Sequence, residues 1–219
     1  MSQSRQATID IDAIMRRAPV IPVIVIDELD KAVPLARALV RGGLEVLEIT
    51  LRTAVAMKAI KAILDEVEGA IVGAGTVLTG AQLEAVGNLG CAFAVSPGAT
   101  ESLLDAARDV PCPLLPGAST ASEVMRLLER GYVRQKFFPA EQAGGAPFLK
   151  SIGSPLPEAL FCPTGGIGVA NARTYLDLDN VLCVGGSWVA PPALVRDHAW
   201  DSITDLALAA RALATEGKN

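Results

Sequence analysis

Lysine is the residue type in this chain whose placement varies most in chemical meaning. Lys31, Lys58, Lys61, Lys150 and Lys218 fall in segments that read as helices, loops or the tail, where a solvated ammonium is expected. Lys136 ends a β-branched and aromatic run, VRQKFFPA. Strand alternation puts Arg134, Lys136 and Phe138 on one face and Val133, Gln135 and Phe137 on the other. A lysine turned into a covered interior loses hydration, which favours the neutral amine. A neutral amine is the nucleophile of Schiff-base chemistry. The same placement also suits a structural lysine paired with a buried carboxylate.

A second cluster is LEVLEITLRT. Val46, Glu48, Thr50 and Arg52 share one parity, while Leu47, Ile49 and Leu51 share the other. The uniformly apolar set should meet a helix layer, so the polar set turns inward. Glu48 and Arg52 could then pair with each other, as inward charges commonly do. Alternatively they act separately, Glu48 shuttling protons and Arg52, nearer the strand end, holding a carboxylate in its forked donors.

Two glycine loops add a third element. Thr164-Gly165-Gly166 and Gly185-Gly186-Ser187 each follow an apolar run. Both could offer backbone N–H groups to an anion, or be tight turns. No GxGxxG or GxxxxGK[ST] motif occurs, so nucleotide binding has no support. The cysteines Cys91, Cys112, Cys162 and Cys183 form no CxxC pair, and His198 is the one histidine. That pattern reads as reduced core thiols and no metal site. Trp188 and Trp200 read as packing residues, and His198 as a surface residue.

These side chains need strands to aim them. Eight short runs serve: VIPVIV from Val20, LEVLEIT from Leu44, AIVGAG from Ala70, FAVSPG from Phe93, PLLPGAS from Pro113, VRQKFFP from Val133, ALFCPTGG from Ala159 and VLCVGGS from Val181. They recur every 20–26 residues, the size of a strand–helix unit. Helices are expected over 30–40, 53–67, 79–86, 100–108, 119–130 and 204–214. Asp30, Thr53, Thr79 and Thr100 are the expected caps, with a Ser119/Ser122/Glu123 capping signal. Eight units favour a closed (β/α)8 TIM barrel over an open doubly wound sheet. In a barrel the Gly, Pro, Ser and Thr residues after each strand share one rim. No linker is visible, so residues 1–219 read as one domain with a short N-terminal helical extension at about 1–18.

The composition limits the partners. Of 219 residues, 51% are apolar, and 24 Asp+Glu outnumber 19 Lys+Arg for a net charge of −5. An acidic chain is a poor candidate for nucleic acid or for charge-driven membrane binding. Mean hydropathy is positive at +0.39, yet the longest apolar stretches, such as 20–26, reach only about a third of a membrane span. The N-terminal residues show no signal peptide. A cytoplasmic protein is expected.

The motifs VLEITLRT, GAGTVL, SPGAT, PGAST, KFFPAE, FCPTGGI and VLCVGGSW occur in this order from about Pro19 to past Trp188. Together they resemble the class I 2-keto-3-deoxy-6-phosphogluconate (KDPG, Entner–Doudoroff) aldolases. The resemblance implies a (β/α)8 barrel, a homotrimer, no metal and no cofactor. It implies cleavage of KDPG to pyruvate and glyceraldehyde 3-phosphate, and also of 4-hydroxy-2-oxoglutarate to pyruvate and glyoxylate. It puts the Schiff-base lysine on Lys136 and the proton shuttle on Glu48. Arg52, helped by Thr76, falls on the carboxylate site, and Pro97 and Phe138 on the pocket wall. Gly165, Gly166 and Ser187 fall on the phosphate loops. Ala99 and Ala118 stand where relatives often carry a larger aliphatic residue, which bears on pocket volume. The competing readings are an aldolase of the galactonate epimer, a sugar-phosphate epimerase or thiamine phosphate synthase relative, and a barrel that binds phosphosugars without catalysis.

Overall fold

The computed structural model describes residues 10–214. Its elements alternate: α1 (Ile11–Met15), β1 (Val20–Ile24), a 3-10 turn (Leu29–Lys31), α2 (Ala32–Arg41), β2 (Val46–Thr50), α3 (Ala56–Glu66), β3 (Ile71–Gly75), α4 (Gly80–Leu89), β4 (Phe93–Val95), α5 (Glu101–Ala106), β5 (Leu114–Leu115), β6 (Gly117–Ala118), α6 (Ala121–Glu129), β7 (Arg134–Phe137), α7 (Gly145–Ile152), β8 (Leu160–Pro163), α8 (Ala172–Leu176), β9 (Val184–Gly186), α9 (Pro192–Arg196) and α10 (Trp200–Arg211). Every strand pairing is parallel. Among the described residues the eight apolar runs yield nine strands, because Pro116 interrupts one of them between β5 and β6. Proline has no N–H to give the ladder.

The strands form an α/β fold with a curled parallel sheet. Six strands run in the order β5-β4-β3-β2-β1-β9, and three more in the order β6-β7-β8. Bridges at Phe161↔Val181 and Thr164↔Gly185 link the β8 run to the β9 run. The two faces of the sheet carry separate apolar clusters. Outward residues such as Leu47, Ile49, Ala94 and Phe161 pack under the helices. Inward residues Ile21, Val46, Phe93, Val95, Leu115, Cys162 and Cys183 form the second cluster, with Ile11, Ile14 and Met15 of α1 packed on it. The two-residue alternation of each strand is what sorts these sets. Helix α1 lies within the extension expected at about 1–18; residues 1–9 of that extension lie outside the described residues, as does Lys218.

Some local expectations fail for visible reasons. Asp30 is not the cap of α2: it sits in the 3-10 turn, and α2 begins after Lys31 with no side-chain cap. Thr53 does not cap α3, which begins at Ala56; its hydroxyl instead donates to the Ile26 carbonyl at 2.6 Å. Thr79 and Thr100 do cap, each accepting from a backbone N–H three residues on. The α6 cap is Thr120, which forms a capping box with Glu123, and Ser119 adds two more bonds to the same carboxylate oxygen. Helix α10 starts at Trp200, so Thr204 lies inside it and donates to the Ala38 carbonyl of α2. Lys31, expected in solvent, is buried with its ammonium 2.7 Å from Glu28. All four cysteines are free and buried. His198 is exposed, beside Trp200. No described helix is long and apolar enough to cross a membrane.

Candidate active site

Strands β2 and β7 are not neighbours, yet their inward side chains meet. Lys136 Nζ donates to Glu48 Oε1 at 3.1 Å, and the two residues are 5% and 3% exposed. Glu48 therefore pairs with Lys136 and not with Arg52. The pair is placed from both sides. Gly117 is the register partner of Lys136 on β6, and Cys162 on β8. The Phe138 ring centroid lies 5.4 Å from Nζ, a cation–π contact. On the other side, Gly75 of β3 has no side chain because none fits. A Cβ there would stand 2.3 Å from Glu48 Oε1. Gly73, on the same face of β3, receives the Phe93 ring in the same way. Strand β3 thus offers two bare positions, one filled by an aromatic ring and one by the carboxylate.

Cys162 and Cys183 touch each other in the interior; their hydrogen bond, then burial, and further the nearby Glu48 carboxylate push the Cys183 thiol far above its ordinary range. It stays a neutral thiol. Among the described residues no three His, Cys, Asp or Glu side chains gather as metal ligands.

The remaining candidates surround this pair at the strand ends. Thr164 follows β8 and is buried, with its hydroxyl oxygen lacking any hydrogen-bond partner. That hydroxyl faces Gly185, where a Cβ would stand 2.2 Å from it. Ser96, before Pro97, carries a second buried hydroxyl without a partner. Pro97 is half-buried, and its carbonyl leaves no room for a Cβ on Gly117 (2.3 Å). Thr76 follows Gly75 in the left-handed region at φ 58°, unusual for a threonine. The structure brings Lys136, Glu48, Phe138, Thr164, Pro97 and Thr76 around one set of strand ends.

The two glycine loops adjoin through the Thr164↔Gly185 bridge. Gly165 and Gly166 have φ of 105° and 75°, a conformation that disfavours a side chain. Gly186 makes room for the Trp188 ring, so that tryptophan packs as expected. Arg52 is not a member of the buried ion pair. It is exposed and, with Ser187, lines a cavity of 370 Å³ that also takes in Lys31 and Arg196. No hydrogen bond or ion pair holds Arg52 among the described residues, which leaves its forked donors available.

Reasoning from sequence missed Ser96, the slot at Gly75 and the buried Lys31. The inward parity of Gly73 and Gly75 is readable, but what fills the space above them depends on strands far away in sequence.

The comparisons agree with one another. A family model described as KDPG and KHG aldolase matches residues 11–206. A 2-dehydro-3-deoxy-phosphogluconate aldolase of Pseudoalteromonas atlantica is 52% identical over 194 residues, covering 89% of this chain and 90% of that protein. The KHG/KDPG aldolase of Escherichia coli K12 is 52% identical over 196 residues, covering 90% and 92%. Among solved structures, a KDPG aldolase from Legionella pneumophila superposes with a TM-score of 0.90 at 48% identity, covering 91% of this chain and 97% of that one. That crystal structure holds pyruvate captured at low pH as a covalent carbinolamine intermediate.

Proposed function

The chain belongs to the KDPG and KHG aldolase family, and we propose from that premise how its residues divide the work of an aldolase, a lyase that cleaves KDPG to pyruvate and glyceraldehyde 3-phosphate. The buried Lys136–Glu48 contact at 3.1 Å carries the reading. Glu48 takes a proton from the Lys136 ammonium, and the freed amine attacks the C2 ketone. Glu48 gives its proton to the alkoxide that forms and takes one from the adduct nitrogen, which makes the neutral carbinolamine; it then protonates the carbinolamine hydroxyl, which leaves as water. The captured carbinolamine of the Legionella relative supports this first half. The resulting iminium is an electron sink. Removal of the C4 hydroxyl proton sends the C3–C4 bonding pair toward the iminium nitrogen, and glyceraldehyde 3-phosphate departs. The enamine takes a proton at C3. Water adds at C2, the C–N bond breaks, and pyruvate and the free lysine are restored.

The binding roles proposed here are those the family resemblance implies. Arg52, with Thr76, holds the substrate carboxylate. Thr164 offers its unpartnered hydroxyl to a substrate oxygen. Gly165, Gly166, Gly185, Gly186 and Ser187 present backbone N–H groups to the phosphate. Pro97 and Phe138 wall the pocket. Fixing both ends of the substrate puts C2 at the amine, which is catalysis by orientation. The two bridges between the β8 and β9 runs, and the single proline between β5 and β6, support closure of the curled sheet into one eight-unit barrel domain. A cytoplasmic homotrimer is part of the same reading. Exposed Val25, Leu29 and Leu78 offer apolar surface for a subunit contact.

The test is product formation. Purified protein given KDPG should release pyruvate and glyceraldehyde 3-phosphate one for one, measured by coupled NADH oxidation. Parallel assays with 4-hydroxy-2-oxoglutarate and the galactonate epimer rank the substrates, and light scattering counts the subunits. Absence of pyruvate from all three substrates would overturn the reading.

A further inference from the structure

The KFFPAE segment ends in Glu141, which the aldolase chemistry above does not use. Its backbone is tied to the first glycine loop: Ala140 N–H donates to the Thr164 carbonyl at 2.8 Å, and Glu141 N–H to the Gly165 carbonyl at 3.1 Å. Its side chain fills the space left by Gly166. A Cβ on Gly166 would lie 2.6 Å from Glu141 Cγ and 2.8 Å from its Cβ. The Glu141 carboxylate then accepts the hydroxyl of Tyr175, which is 1% exposed on α8. Burial first, and then the Glu141 bond, push that hydroxyl well above its ordinary range, so it remains a donor. Gly145 at the start of α7 sits close over the same oxygen. The stem of Glu141 is thus clamped between a glycine loop on one side and a fully buried phenol on the other.

We infer that Glu141 and Tyr175 are positioning residues that fix the Gly165–Gly166 loop, and through it the preference for a phosphorylated over an unphosphorylated substrate. The inference rests on the phosphate reading of that loop. Neither residue touches the reacting carbon, so neither should affect the amine chemistry itself. Their removal should let the loop N–H groups drift, and oriented donors lose much of their value with small displacements.

The experiment compares the parent with Tyr175→Phe, which removes one oxygen, and with Glu141→Ala and Glu141→Gln. KM and kcat for KDPG are measured beside the rate at which borohydride traps pyruvate on the enzyme, a readout without a phosphate. Tyr175→Phe and Glu141→Ala should raise the KM for KDPG by about tenfold, the value of one lost charged hydrogen bond. Pyruvate trapping should change by less than about twofold, and Glu141→Gln, which keeps an acceptor, should stay near the parent. Equal losses in both readouts, or no loss in either, would overturn the brace. If inorganic phosphate fails to inhibit the parent's KDPG cleavage, the phosphate reading itself is what has failed, and the inference falls with it.

Discussion

Arg134 and Lys136 stand two residues apart on β7 with their side chains on the same face. At Arg134, two guanidinium nitrogens donate to Asp12 Oδ1 at 2.8 and 2.6 Å, and Arg16 takes the other oxygen of that carboxylate at 2.8 Å. Both oxygens of the acid are used, and the group is partly open to water, with Arg134 31% and Asp12 23% exposed at the side chain. At Lys136, three N–H donors face one carboxylate oxygen at 3.1 Å, and the side chains are 6% and 4% exposed. The first arrangement is saturated and ties β7 to α1. The second is buried and undersupplied with acceptors. The exposed, fully paired cation suits a structural tie, and the buried one a group that can pass a proton to its carboxylate and act as a nucleophile.

Three substitutions probe that contrast. Lys136→Arg keeps the charge but not the nucleophile, because guanidinium stays protonated. It should cost roughly four orders of magnitude or more in turnover, and Lys136→Ala should do the same, both with a retained fold by circular dichroism. Appreciable cleavage by either would make Lys136 as structural as Arg134. Glu48→Gln keeps the shape and removes the base; general acid–base catalysis of this kind is worth about 10²- to 10⁴-fold. Steady-state rates are the check, and an unchanged rate would leave Glu48 a mere counter-ion.

The smallest effect belongs to the saturated end. Asp12→Asn should lower stability by about 1–2 kcal/mol, since two bound guanidinium groups lose a carboxylate, while kcat stays within about twofold of the parent. Burial pushes the Asp12 carboxyl up, but bonds to Arg16 and Arg134 outweigh it and hold the group below its ordinary value. A carboxyl depressed in the folded state stabilises above its unfolded value and loses that contribution as pH falls through the folded one. Thermal melts of parent and Asp12→Asn should therefore differ at neutral pH and converge in acid. Loss of activity without loss of stability would place Asp12 in the catalytic machinery.

Much of this is legible in the chain because strands alternate. The inward turn of Glu48 and Thr50 on β2, and of Arg134 and Lys136 on β7, follows from parity, and the seven ordered motifs carry the family; parity fails for Arg52, which lies past the end of β2 and is exposed. Pairing across the interior does not follow. Parity brings Glu48 inward but leaves it free to pair with Arg52 four residues on; only the curl of the sheet sets it against Lys136, 88 residues away. Helix starts are harder still. Thr53 has the chemistry of a cap, yet its hydroxyl is drawn to the Ile26 carbonyl beside it. Lys31 looks like a surface lysine until the turn before α2 folds it beneath Glu28. Glu48 and Thr53 took partners distant in sequence over local ones, whereas Lys31 kept a local partner and was misplaced by its burial alone.

The most direct test of the central chemistry is to trap it. The protein is incubated with pyruvate, borohydride is added, and the peptides are mapped by mass spectrometry. Schiff-base catalysis predicts a reduced pyruvate adduct on the Lys136 peptide, absent when pyruvate is omitted. A folded sample with no adduct, or with the adduct on another lysine, would contradict the assignment of Lys136 as the nucleophile.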